Sequence, residues 1–123
     1  MRKKILIIED NVKNQKLFAT ILDESGYQVF QARDAATGII QAQKEQPDLI
    51  LMDIQMPGMN GLDAIKLLKQ NPDTAAIPVV ALTALAMMGD KERILASGFD
   101  EYLSKPVNYK LLLSTVESLL VKP

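Results

Sequence analysis

The chain has 123 residues, 48% hydrophobic and 24% charged, and a formal net charge of −1, values that suit one globular domain with a real core. So even a charge balance excludes a global field drawing the protein to nucleic acid or to an anionic membrane. With no cysteine and no histidine, disulfides, thiolate chemistry, a Ser-His-Asp triad, the usual zinc sites and a phosphohistidine carrier are all excluded.

Ile5-Leu6-Ile7-Ile8 opens the pattern as a short, continuously apolar, β-branched run, as expected of a strand buried on both faces. Met1 and the basic run Arg2-Lys3-Lys4 directly precede it, so no secretory leader is expected and the location is read as cytoplasmic. Leu17, Phe18, Ile21 and Leu22 then recur at helical spacing, with Gly26 at the position just past a helix end. A strand of mixed polarity follows at Tyr27 to Gln31 and suits a sheet edge. Ala35, Ala36, Ile39 and Ile40 repeat the helical pattern, with Asp34 as N-cap and Pro47 beyond the end.

Leu49-Ile50-Leu51-Met52 and Val79-Val80-Ala81-Leu82 are further buried-strand runs, and Leu62, Ile65 and Leu68 after Gly61 predict the helix between them. Met87, Met88, Lys91, Ile94 and Leu95 before Gly98 predict a fourth helix, and Asp100 to Ser104 a second edge strand. Leu112, Val116, Leu119 and Leu120, with Asn108 as cap, predict a helix that closes the chain. Five strand–helix units in succession predict an α/β fold, a doubly wound five-stranded parallel sheet with helices on both faces, as one domain over 1–123. No linker or repeat interrupts it, and no stretch approaches the roughly 18 apolar residues of a membrane span.

Open sheets of this kind bind ligands beyond the carboxyl ends of their strands. There the sequence places Glu9 and Asp10 after the first strand, Asp53 after the third, Thr83 after the fourth, and Lys105-Pro106 after the fifth. Each has an ordinary explanation on its own. Glu9 and Asp10 favour a helix N-terminus, Asp53 forms turns, Thr83 caps helices, and Lys105 suits a surface turn set by Pro106.

Together they are costly, because two carboxylates about 5 Å apart repel by roughly 3 kcal/mol at an effective dielectric near 20. An all-oxygen acidic cluster points to Mg²⁺ ahead of Mn²⁺ and Ca²⁺. A carboxylate beside such a cation can attack phosphorus, with the metal, Lys105 and Thr83 stabilising the charge on the phosphoryl oxygens.

At these residues the chain resembles the receiver domains of two-component response regulators. The matching segments are Ile7-Ile8-Glu9-Asp10-Asn11, Leu51-Met52-Asp53-Ile54-Gln55-Met56-Pro57-Gly58-Met59-Asn60-Gly61, Pro78-Val79-Val80-Ala81-Leu82-Thr83-Ala84 and Tyr102-Leu103-Ser104-Lys105-Pro106. Ala86-Met87-Met88-Gly89-Asp90-Lys91-Glu92-Arg93 is similar to the segment carried by DivK-type single-domain regulators and hybrid-kinase receivers. The resemblance implies a flavodoxin-like strand order 2-1-3-4-5.

It also implies roles. Asp53 is expected as the phosphoacceptor, and Asp10, Asp53 and the Gln55 carbonyl as Mg²⁺ ligands, with Glu9 acting through water. Lys105 would pair with the phosphoryl group across a cis Lys105–Pro106 peptide. Thr83 would move toward the phosphoryl oxygen and Tyr102 would turn inward, altering the face of the fourth helix, fifth strand and fifth helix. Without the resemblance Tyr102 reads as an edge-strand aromatic half covering the core, and Leu85, Met87 and Met88 as core or as an adaptable partner surface. Gln55 and Leu85 sit where the family tunes dephosphorylation.

The partners implied are a sensor histidine kinase or histidine phosphotransfer protein and a downstream protein, with no direct nucleic acid or membrane contact. No enzymatic output beyond self-catalysed phosphotransfer and autodephosphorylation is implied, and a free-standing chain is expected. Three rivals fit less well. A flavodoxin-like redox protein would have its FMN phosphate repelled by Glu9-Asp10. A haloacid-dehalogenase-type phosphatase needs an aspartate where Gln55 stands, and a pseudo-receiver normally lacks the acids or the lysine.

Overall fold

The computed structural model describes residues 2–84 and 89–121. The elements alternate as β1 (Lys4–Ile8), α1 (Val12–Glu24), β2 (Gln28–Ala32), α2 (Ala35–Glu45), β3 (Leu49–Asp53), α3 (Gly61–Gln70), β4 (Val79–Thr83), α4 (Asp90–Ala96), β5 (Glu101–Ser104) and α5 (Tyr109–Leu120). All strand pairings are parallel, and the five-stranded sheet has the order β2-β1-β3-β4-β5. The two mixed-polarity strands are its edges. Leu85, Met87 and Met88 lie outside the described residues, as does the part of the predicted fourth helix before Gly89.

The unbroken apolar runs follow from packing on both faces of the sheet. Ile5, Ile7, Leu49, Leu51, Val80 and Leu82 face Phe18 and Leu22 of α1 and Leu112 and Val116 of α5. Leu6, Ile8, Ile50, Met52, Val79 and Ala81 face the other layer, built from α2, α3 and α4. Period-two alternation therefore sends each strand's side chains into two different cores.

Most helix starts are fixed by asparagine or aspartate side chains that accept from first-turn amides. Asn11 accepts from the Asn14 amide, Asp34 from Thr37, Asn60 from Asp63, and Asn108 from Lys110 and Leu111. Each such cap contributes about 1 kcal/mol. Gly26, at φ 97°, reverses the chain after α1 as its place in the sequence predicts. The described part of α4 starts after Gly89, and Thr83 is the last residue of β4.

Candidate functional site

The strand order reverses between β1 and β3, and this reversal opens a crevice at their carboxyl ends. Asp53 ends β3 and is only 3% exposed, while Glu9 follows β1 and is fully buried. Asp10, one residue on, is exposed. The carboxylates of Glu9, Asp10 and Asp53 each bring an oxygen within 4.8 Å of the others.

Lys105 reaches this cluster from the far side. Its backbone amide donates to the Thr83 carbonyl at 2.7 Å, and the Lys105–Pro106 peptide bond is cis. Its ammonium lies 3.0 Å from Asp53 Oδ2 and 3.1 Å from Glu9 Oε1. The other Asp53 oxygen, Oδ1, accepts from the Gln55 amide at 2.9 Å. Asp53 thus does form the local turn that its residue type suggests, and that turn fixes the direction of its carboxylate. Thr83 is fully buried, and Tyr102 is half-buried against the core layer of α3 and α4.

Two residues with no role predicted from sequence also hold the cluster. Asn14 donates from Nδ2 to Glu9 Oε1 at 2.9 Å. Gln15, nearly buried, donates from Nε2 to the carbonyls of Ala32 at 2.9 Å and Glu9 at 3.3 Å, tying together the ends of β2 and β1. In sequence they are merely polar residues in the first turn of α1, and only their direction reveals the contact.

Burial, followed by the hydrogen bond and charge of Asp53, pushes Glu9 from 4.5 up to about 7, against the opposing bonds from Asn14 and Lys105. Burial would lower the Lys105 pKa, but its bonds to Asp53 and Glu9 outweigh that effect and hold it above the ordinary lysine value. One ammonium therefore does not neutralise three carboxylates. An all-oxygen donor set with surplus negative charge fits a hard divalent cation.

The chain matches the response regulator receiver domain model over residues 5–117. It is 42% identical over 120 residues to the polar-differentiation response regulator DivK of Brucella anthropi, covering 98% of each chain. Among solved structures, the Vibrio cholerae chemotaxis protein CheY4 is similar with a TM-score of 0.91 and 28% identity, covering 98% of this chain and 100% of that one. The receiver domain of sensor histidine kinase PA1611 from Pseudomonas aeruginosa gives a TM-score of 0.91 and 30% identity, covering 99% of this chain and 100% of that one. That structure holds a magnesium ion coordinated in its active-site cleft.

Proposed function

This chain belongs to the response regulator receiver family, and from that premise we propose that it carries a phosphorelay signal by taking a phosphoryl group from a phosphohistidine donor onto Asp53. The observation that carries this reading is the aim of one buried carboxylate. Gln55 N–H holds Oδ1 of Asp53 and the Lys105 ammonium holds Oδ2, within reach of two further acids.

In the step itself, an Asp53 oxygen attacks phosphorus, the phosphorus–nitrogen bond to the donor imidazole breaks, and the nitrogen leaves with the electron pair. The product is a mixed anhydride on Asp53. Lys105 then balances the phosphoryl charge in place of the carboxylate charge it meets now. Asp10, Asp53 and the Gln55 carbonyl would hold Mg²⁺, with Glu9 acting through water. Bound there, the ion neutralises charge on the phosphoryl oxygens. The magnesium in the related PA1611 receiver supports that choice over Mn²⁺.

Thr83, at the end of β4, would donate to a phosphoryl oxygen, and Tyr102 would follow it inward. The contacts of the α4–β5–α5 face would change with them. A phosphoryl group shifts this equilibrium only by its differing interaction with the two states. The donor is a sensor histidine kinase or histidine phosphotransfer protein, and the output is contact with another protein in the cytoplasm. Among the described residues no helix is long and apolar enough to cross a membrane.

The test is intact mass after incubation with Mg²⁺ and acetyl phosphate, for wild type and Asp53→Asn. One added phosphoryl, absent in the variant and without Mg²⁺, is expected. Failure to accept a phosphoryl group from acetyl phosphate and from histidine kinases, together with no beryllofluoride binding, would refute the reading.

A further inference from the structure

We propose that the β2 edge is a self-association surface, pairing antiparallel with β2 of a second copy to join two sheets across a twofold axis. In the sheet β2 has one strand neighbour, β1. The Gln28 amide donates to the Lys3 carbonyl and the Ala32 carbonyl accepts from Glu9, so these residues turn their backbone groups toward β1. Alternation turns the N–H and C=O groups of Val29 and Gln31 to the open side. Nothing in Gln28–Ala32 blunts that side, since the strand contains no lysine, proline or other charged residue.

The exposed pattern is complementary to itself. An axis through Phe30 sets Val29 opposite Gln31 of the second copy, and Gln31 opposite its Val29. Both are pairs of the kind that exchange two hydrogen bonds, giving four in all, and the two Phe30 residues face each other in the intervening non-bonded pair. A shift by one residue turns these donors and acceptors away from each other, and a shift by two keeps only one mutual pair among Val29 and Gln31 in place of two.

The neighbouring helix obeys the same axis. An open groove of about 480 Å³ separates β2 from α1, with Lys16, Ala19, Thr20 and Asp23 along its helical wall. Gln15 of α1 lies level with Ala32 through its hydrogen bond, and α1 ends at Glu24 just before β2 begins. The level of Phe30 therefore falls between Ala19 and Thr20, midway between Lys16 and Asp23.

Rotation about that axis brings Lys16 of one copy to Asp23 of the other, and the reverse, making two ion pairs of an isologous interface. Strands about 4.8 Å apart leave the two α1 helices roughly 10 Å apart, a packing distance that small residues such as Ala19 and Thr20 permit. Asp23 already meets Arg2 in an exposed pair, and its carboxylate can serve both cations.

Sedimentation equilibrium up to about 1 mM protein tests this, at the concentrations where small interfaces form. Wild type is expected to reach a dimer mass. Lys16→Glu should weaken the dimer about tenfold by setting two acids together, and Lys16→Glu with Asp23→Lys should restore it. Gln31→Pro removes an outward N–H at an edge, where proline is tolerated, and should abolish the dimer while the melting curve shows a folded domain. A wild-type monomer throughout, a dimer indifferent to Lys16→Glu, or failure of the charge reversal to restore it would overturn the proposal. Phosphoryl uptake by Asp53 is read separately, so this result and that of the proposed phosphotransfer are independent.

Discussion

The Glu9 carboxyl should make the metal-free protein less stable as pH rises, the opposite of ordinary acid denaturation. Its pKa is about 7 in the folded chain, against 4.5 for the free carboxyl. Between those values the folded state binds more protons than the unfolded one, so stability falls with rising pH. The stabilisation is fully present below about pH 4.5 and is lost as pH passes through about 7. The shift corresponds to about 3 kcal/mol in total, of which about 2 kcal/mol falls between pH 5 and pH 8. For a domain of this size that is roughly 10 °C in melting temperature.

Urea denaturation followed by circular dichroism, in EDTA at several pH values, measures it. Glu9→Gln keeps the shape, removes the titrating charge and supplies the background from every other group. Wild type should match Glu9→Gln more closely at pH 5 and fall behind it by about 2 kcal/mol at pH 8. Saturating Mg²⁺ should close most of that gap by offsetting the clustered charge and binding the folded state. Parallel profiles for the two proteins in EDTA would refute the argument that buried, uncompensated charge raises the Glu9 pKa.

Asn14→Ala removes a bond that favours ionised Glu9, so the same urea series should show its pH transition moved upward; an unmoved transition would discard that contact. Lys105→Ala should leave the fold intact but cost about 1–3 kcal/mol at pH 8 in EDTA, and less at pH 5, where Glu9 is protonated. Phosphate-dependent partner binding should also be lost, and its persistence would reject the role given to Lys105. Gly61→Ala would put a Cβ 2.7 Å from the Ile54 Cα, a backbone atom that cannot swing away. It should cost about 1–3 kcal/mol and slow uptake from acetyl phosphate, and wild-type values for both would show that the loop after β3 yields freely.

The architecture was legible wherever burial on two faces leaves an unbroken apolar run, as in Ile5 to Ile8, Leu49 to Met52 and Val79 to Leu82. At the edges the pattern is diluted and the boundaries slip by one residue. Tyr27 reads as the start of a strand, but its amide closes the end of α1 on the Leu22 carbonyl. Asp100 also reads as strand, yet its side chain accepts from the Val79 amide beside β4. Backbone partners decide both positions, and hydrophobicity does not report them.

The candidate site was legible for a different reason. A parallel sheet gathers the residues after its strands at one edge, so Glu9, Asp10, Asp53, Thr83 and Lys105 are neighbours by topology before any side chain is placed. Topology does not say which way a helical side chain points, and so Asn14 and Gln15 stayed hidden. The clearest mark of the site is where the chain departs from its own folding rules. Apart from Asp53 and Thr83 at the strand ends, the buried strand positions are apolar, yet Glu9 and Asp53 are buried together and share one lysine. A domain built for stability alone would favour a neutral residue at Glu9, so a buried acid there is accounted for by the proposed function, in which its negative charge serves a cation and a phosphoryl group.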